Sequence, residues 1–144
     1  MSRSIRTEII INANKERVWK LLTDFRHFPA WNPFMVNVEG AAIAGTRLRN
    51  TMMNKGKAFV FKPRILVADA PNKLEWLGSL FIKGLFDGRH YFEIEEVSPG
   101  QVNLKHGEVF TGILSAQIFK KIGADTRNNF IRMNNALKQL AEQG

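Results

Sequence analysis

Two histidines and one glutamate occupy strand positions that alternation assigns to the interior. His90 shares a strand face with Phe92, and His106 and Glu108 share a face with Phe110 on the last strand. Because successive side chains of a strand point to opposite faces, this pattern predicts that all three polar groups point inward. Imidazole and carboxyl groups perform most general acid–base catalysis near neutral pH. His90, His106 and Glu108 are therefore the candidate catalytic residues.

The same three groups admit a functional and a structural interpretation. In the first, they form a polar rim or floor in an otherwise apolar ligand pocket. In the second, they satisfy one another or buried water across neighbouring strands, because an unpaired buried polar group costs roughly 1–3 kcal/mol. Burial raises the pKa of a glutamate, and a cationic partner reverses that shift.

A metal site is a third interpretation of these residues, and the sequence does not favour it. Such a site needs three or four converging ligands, and His90, His106 and Glu108 supply three at most. No further ligand pattern supports them, so neither a metal ion nor a cofactor is predicted.

Hydrophobic periodicity predicts the elements that position these side chains. Residues Arg3–Asn12 alternate as a strand, and Asn14 can cap a helix over Lys15–Thr23. A short, aromatic helical turn is expected within Asp24–Phe34, where two prolines exclude a longer helix. Six further strands are predicted at Met35–Ala42, Thr46–Met53, Lys57–Ala68, Leu74–Gly78, Ile82–Glu96 and Gln101–Thr111. Pro63 marks the third of these as an edge strand or a bulge.

The last fifth of the chain predicts one long helix over Ser115–Gln143. Apolar residues recur at three- and four-residue spacing and form one stripe along it. At about 1.5 Å per residue, this helix would extend roughly 43 Å, so it must lie across something broad. Consecutive strands joined by hairpins form an antiparallel sheet, so the predicted class is α+β, with a hollow between sheet and helix.

Composition limits the classes of function. The 144 residues predict one domain spanning 1–144, and 44% hydrophobic residues argue against disorder. The absence of cysteine excludes disulfides, thiolate metal sites and cysteine nucleophiles. No signal-peptide pattern and no long apolar run occurs, so a cytoplasmic protein without stable membrane insertion is expected. The motifs of serine hydrolases, P-loop proteins and Rossmann folds are also missing.

The net charge of +8 raises the question of an anionic partner. Basic residues are scattered in pairs, without a run of five like charges, which indicates mostly solvated faces. Aromatic residues are not interleaved with these cations on any one strand, so nucleic acid is not predicted as a partner. A basic face on anionic lipid and a homodimer both stay open.

Several segments together resemble the SRPBCC superfamily of START-related, helix-grip proteins, and most closely its polyketide cyclase/dehydrase and lipid-transport group. The segments are Ile11-Asn-Ala-Asn-Lys-Glu-Arg-Val-Trp19, Leu22-Thr-Asp-Phe25, Phe28-Pro-Ala-Trp-Asn-Pro-Phe34, Leu74-Glu-Trp76, Gly88-Arg-His-Tyr-Phe92 and His106-Gly-Glu-Val-Phe-Thr-Gly112. The resemblance covers essentially the whole chain.

This resemblance implies a curved, seven-stranded antiparallel sheet wrapped around the long C-terminal helix, with two short helices after the first strand. Members bind lipids, sterols, polyketides or other hydrophobic molecules between sheet and helix, and a minority are cyclases, dehydratases or hydrolases. The superfamily has no universal catalytic residues, so none is carried over. His90, His106 and Glu108 match positions whose counterparts usually face the cavity.

Two functions follow as hypotheses. The first is binding, or transport, of a hydrophobic small molecule such as a lipid or polyketide. The second is a polyketide cyclase or dehydratase that uses His90 or His106 as general base, with Glu108 orienting it or donating a proton. The residues expected to contact the ligand are Trp31, Phe34, Trp76, Phe86, His90, Phe92, His106, Glu108, Phe110, Ile118, Ile122 and Phe130.

Overall fold

Antiparallel strands and one long helix account for most of the described chain. The computed structural model describes residues 3–80 and 82–143, so residues 1, 2, 81 and 144 of the predicted domain lie outside it. The elements of the described part are β1 (Arg3–Ile11), α1 (Lys15–Thr23), a 3-10 turn (Phe25–His27), α2 (Phe28–Trp31), β2 (Met35–Glu39), β3 (Arg49–Asn54), β4 (Lys57–Phe61), β5 (Arg64–Asp69), β6 (Lys73–Leu80), β7 (Phe86–Ser98), β8 (Gln101–Thr111) and α3 (Ser115–Glu142).

The strands form two antiparallel sheets, on which α3 lies. One sheet has the order β1-β8-β7-β6-β5, and the other has the order β2-β3-β4. The helix α3 contacts β1 most extensively and also meets β3, β7 and β8. The predicted α+β, helix-grip architecture is confirmed, whereas the predicted single sheet of seven strands is wrong: the described residues form eight strands in two sheets.

Pro63 is the physical reason for the additional strand. The predicted strand Lys57–Ala68 divides there into β4 and β5, because proline has no backbone N–H to donate to a neighbouring strand. Its carbonyl oxygen instead accepts a hydrogen bond from the backbone N–H of Leu48 at 2.9 Å. The chain thus passes from the three-stranded sheet to the five-stranded sheet at Pro63.

Glycines at positive φ shorten two other predicted strands. The strand predicted from Ile82 begins at Phe86, because Gly84 has φ +97° and forms part of a turn. The strand predicted over Met35–Ala42 ends at Glu39, where Gly40 follows with φ +127°. This left-handed backbone is accessible to glycine but strained for other residues. The strand predicted from Thr46 begins at Arg49.

The C-terminal end of α3 is held by α1. Asn14 caps α1 as predicted, since its Oδ1 accepts from the backbone N–H of Arg17 at 2.9 Å. The Arg17 guanidinium donates to the carbonyl oxygens of Ala141 (2.6 Å) and Gln143 (2.9 Å). Because the last carbonyls of a helix have no partner within it, these bonds complete the end of α3 and fix it over α1.

No helix among the described residues is both long and apolar enough to cross a membrane.

Candidate functional site

A cavity of about 230 Å³ lies between the two sheets and the first half of α3. Its wall is mostly aromatic and aliphatic, with a few polar groups at defined positions. The lining residues are Phe34, Met52, Asn54, Phe59, Phe61, Pro63, Trp76, Gly78, Ser79, Phe86, Gly88, Glu108, Phe110, Ile118, Ile122, Thr126 and Asn129. Phe59 is 45% exposed, so the cavity reaches the surface at the β3–β4 hairpin.

Two glycines form the floor of this cavity. Gly78 on β6 and Gly88 on β7 are direct cross-strand partners, and both belong to the lining. A Cβ at Gly78 would meet only Pro63, at an ordinary 3.6 Å, whereas a Cβ at Gly88 would collide with the Glu108 carboxylate. Gly88 therefore provides the space that the Glu108 side chain occupies.

Glu108 is the ionisable group in the cavity wall. Its side chain is 17% exposed, and burial raises its pKa from 4.5 to about 8. The protonated carboxyl group is therefore the main form at neutral pH. Oε1 of Glu108 lies 3.5 Å from Nδ1 of His90, which is long for a hydrogen bond but close enough for proton exchange after a small movement.

Behind Glu108, a chain of buried hydrogen bonds crosses the core. Nε2 of His90 lies 2.7 Å from Nε2 of His106, and Nδ1 of His106 lies 2.7 Å from Oδ1 of Asn134 on α3. Nδ2 of Asn134 then donates to Oγ1 of Thr7 at 2.9 Å, and this hydroxyl donates to the His106 carbonyl at 2.6 Å. The chain links β7, β8, α3 and β1 in one network.

The carbonyl at the far end sets the direction of every bond in this chain, because a carbonyl oxygen can only accept. The Thr7 hydroxyl donates its proton to that carbonyl and accepts a hydrogen bond from the Asn134 amide N–H. Oδ1 of Asn134 therefore points to His106 and accepts from its Nδ1–H. Nε2 of His106 is then bare and accepts from Nε2–H of His90. Nδ1 of His90 consequently presents a lone pair to the protonated Glu108.

Both histidines are held neutral. Burial lowers the pKa of His90 from 6.5 to about 3. Burial, and then the proximity of His90, lowers the pKa of His106 well below 6.5, against the opposing effect of its bond to Asn134. His106 is also enclosed by stacked rings, with Phe92 at 4.3 Å and Phe130 at 4.2 Å between ring centres. Neither imidazole lines the cavity, so Glu108 alone of the three candidates belongs to the cavity wall.

The twelve residues predicted to contact a ligand divide into two groups. Seven of them line the cavity: Phe34, Trp76, Phe86, Glu108, Phe110, Ile118 and Ile122. Five lie outside the lining: Trp31, His90, Phe92, His106 and Phe130. Trp31 packs edge-on against Phe28 at 5.1 Å, and the other four form the buried cluster behind Glu108.

Sequence reasoning missed the wall contributed by the β3–β4 hairpin. Met52 faces Phe59 across this hairpin, and Phe61 extends the same inner face. Alternation within Phe59-Val60-Phe61 was the available signal, since Phe59 and Phe61 line the cavity and Val60 does not. On α3, Thr126 and Asn129 complete the polar side, where Nδ2 of Asn129 donates to Oδ1 of Asn54 at 3.3 Å.

Among residues 3–80 and 82–143, no group of three or more His, Asp or Glu side chains is arranged to hold a metal ion.

Comparison with known proteins agrees with this architecture. The sequence profile described as "Polyketide cyclase / dehydrase and lipid transport" matches residues 2–142. Comparison with curated protein sequences finds no significant match.

Solved structures show the same fold at low sequence identity. The Zhui aromatase/cyclase from Streptomyces is similar with a TM-score of 0.80 and 13% identity, over 99% of this chain and 94% of its own. A START superfamily protein from Mycobacterium smegmatis is similar with a TM-score of 0.71 and 18% identity, over 97% of each chain. Norcoclaurine synthase from Thalictrum flavum, in complex with dopamine and hydroxybenzaldehyde, is similar with a TM-score of 0.74 and 13% identity. This match covers 100% of this chain and 90% of the synthase chain. At sequence identities this low, the similarity shows a shared fold and not a shared reaction.

Proposed function

Because this chain belongs to the polyketide cyclase/dehydrase and lipid transport family, we propose that it binds a hydrophobic small molecule in the cavity between its sheets and α3. The observation that carries this proposal is the cavity of about 230 Å³, whose wall is mostly aromatic and aliphatic, with polar side chains at Glu108 and Ser79 and on a polar side at Asn54, Thr126 and Asn129. Burial of apolar surface supplies about 25 cal/mol per Å², and the few polar groups orient the ligand.

A cavity-filling variant tests this proposal. Ile122→Trp places an indole in the cavity, and Ile131→Trp is the matched control on the same helix, because Ile131 is 38% exposed. Titration with an apolar fluorescent probe such as aminoanthracene should give saturable, one-to-one binding to the wild type and to Ile131→Trp. Ile122→Trp should bind at least about tenfold more weakly, with unchanged circular dichroism. Equal binding by all three proteins would exclude the cavity as the site.

A second candidate function, proton transfer to a bound substrate, is favoured by the position of Glu108 in the cavity wall, with Oε1 3.5 Å from Nδ1 of His90, where the directed chain of hydrogen bonds begins. A carboxyl group with a pKa of about 8 exchanges its proton readily near neutral pH. In the dehydration of a β-hydroxy ketone, Glu108 as carboxylate would remove the proton next to the carbonyl. It would then deliver that proton to the hydroxyl group, which leaves as water. His90 and His106 position the carboxyl group, and Glu108 takes the catalytic role that the sequence-based hypothesis assigned to a histidine.

Turnover of an aryl β-hydroxy ketone, followed by the ultraviolet absorbance of the enone, tests this second function. Glu108→Gln should abolish turnover while the apolar probe still binds. Glu93→Gln, a half-buried glutamate on β7, is the control and should retain the wild-type rate. Undiminished turnover in Glu108→Gln would eliminate this mechanism and leave the binding function standing.

A further inference from the structure

A second concave surface, the basic groove, lies on the outer face of the five-stranded sheet near the cavity. Its volume is about 550 Å³, and its lining residues are Arg47, Lys62, Arg64, Leu66, Leu77, Ser79 and Lys83. Four of these seven carry a positive charge, and no carboxylate belongs to the lining. All four cations are exposed.

The charges of the basic groove are unbalanced, in contrast to those a few residues away on the same face. There, Glu75 accepts from Arg89 at 2.9 Å and lies 3.5 Å from Lys73. Across residues 3–80 and 82–143, by contrast, none of the four groove cations takes part in an ion pair.

Two of these cations belong to residues that are paired across the backbone. Arg47 and Arg64 are partners in an isolated antiparallel bridge, an arrangement in which like charges repel. The Arg47 guanidinium also donates to the carbonyl oxygen of Lys62 at 2.8 Å, which holds it at the groove. A bound anion would remove this repulsion and satisfy the remaining N–H donors of the guanidinium groups.

The basic groove adjoins the ligand cavity. Ser79 lines both, so the two spaces approach each other to within one residue. The segment between β4 and β5 borders both spaces, because Lys62 lines the groove and the next residue, Pro63, lines the cavity. Leu66 and Leu77 give the groove an apolar part as well.

We propose that the basic groove binds the anionic group, a phosphate or a carboxylate, of an amphiphilic ligand whose apolar body occupies the cavity. This inference rests on the proposed binding function and specifies its ligand class. Arginine guanidinium groups pair with two oxygens of one phosphate or carboxylate, and lysine adds a compact point charge. The groove thus selects a ligand by its charged end, and the cavity selects it by its apolar end.

Calorimetric titration at pH 7 with decyl phosphate, decanol and inorganic phosphate tests the inference. The groove variant is Lys62→Gln with Arg64→Gln. The matched control is Lys120→Gln with Lys121→Gln, which removes the same two charges from exposed positions on α3. Wild type and control should bind decyl phosphate about tenfold more tightly than decanol, as charge-assisted hydrogen bonds imply. The groove variant should lose this tenfold difference and bind decanol unchanged.

Each other outcome has a defined meaning. Equal loss of decyl phosphate binding in the groove variant and in the control would attribute the effect to overall charge and overturn the inference. Undiminished binding of decyl phosphate by the groove variant would overturn it as well. Tight binding of inorganic phosphate, without tighter binding of decyl phosphate than of decanol, would make the groove a site for free anions and also overturn it. If decanol fails to bind the wild type, the proposed cavity function itself fails, which is a different result from loss of the headgroup dependence alone.

Discussion

The two halves of α3 lie on different kinds of surface. In the second half, Phe130, Met133 and Leu137 are at most 1% exposed and pack against a filled core. In the first half, Ile118 and Ile122 are only partly buried and face the cavity. The same amphipathic helix therefore covers a solid interior at one end and a hollow at the other.

The strands beneath α3 explain this difference. Under the second half, the inner positions of β7 carry His90 and Phe92, and Phe130 packs within 4.9 Å of the His90 ring. Under the first half, the inner cross-strand pair is Gly78 and Gly88. A cavity forms here because glycine has no side chain with which to fill the space between sheet and helix. Helix amphipathicity alone therefore does not distinguish a packed core from a binding site.

Truncation of one apolar side chain in each half gives the largest expected contrast. Leu137→Ala should lower the free energy of unfolding by about 3 kcal/mol, because it opens a new cavity in a packed region. Ile122→Ala should lower it by about 1 kcal/mol or less, because that side chain already borders empty space. Urea unfolding followed by circular dichroism measures both. Equal losses would mean that the first half of α3 is packed as tightly as the second.

Breaking the hydrogen-bond chain beneath the second half of α3 should give the next largest loss of stability. Asn134→Ala removes the partner of Nδ1–H of His106 and of the Thr7 hydroxyl, and should destabilise the protein by about 2–3 kcal/mol. Asn135→Ala, at the neighbouring exposed position of α3, is the control and should change stability by less than about 0.5 kcal/mol. If Asn134→Ala changed the free energy of unfolding only slightly, the hydrogen-bond chain would not be a network that stabilises the fold.

The pH dependence of stability separates Glu108 from the histidines. The pKa of Glu108 is raised to about 8, so between pH 6.5 and 8 the unfolded state has already lost a proton that the folded state retains. Stability therefore falls as the pH rises through this interval, by at most about 1.4 kcal/mol per pH unit. The lowered pKa values of His90 and His106 act below pH 6.5, where stability instead falls as the pH falls.

Glu108→Gln is the variant that tests this assignment. Its free energy of unfolding, measured in urea at pH 6.5 and at pH 8, should be nearly constant, whereas that of the wild type should decrease. A parallel decrease in both proteins would show that another group titrates in this interval.

The smallest effect concerns the two glycines of the cavity floor. Both Gly78→Ala and Gly88→Ala add one methyl group, but only the second displaces the Glu108 carboxyl group. Gly78→Ala should leave the Glu108 pKa unchanged, and Gly88→Ala should shift it. Carbon-13 NMR of the glutamate carboxyl groups measures both values. Identical titration curves would show that Gly88 is not needed to accommodate Glu108.

Periodicity determined the secondary structure and most of the fold. Period-two alternation placed His90, His106 and Glu108 on inner faces, and three- and four-residue spacing identified α3 with its end one residue from Glu142. Of the twelve residues that the sequence analysis expected to contact a ligand, seven line the cavity. These properties are local, because each depends on how a segment distributes apolar side chains around its own axis.

The tertiary structure alone decided which inward-facing groups border the cavity. His90 and Glu108 are cross-strand neighbours with the same inward orientation, yet one is sealed beneath Phe130 and the other faces open space. Similarly, Ser79 borders both the basic groove and the cavity, next to the segment at Pro63 through which the chain passes to β5 beside β6. Distances between segments far apart in sequence set these outcomes, and a local pattern of side chains contains no information about such distances.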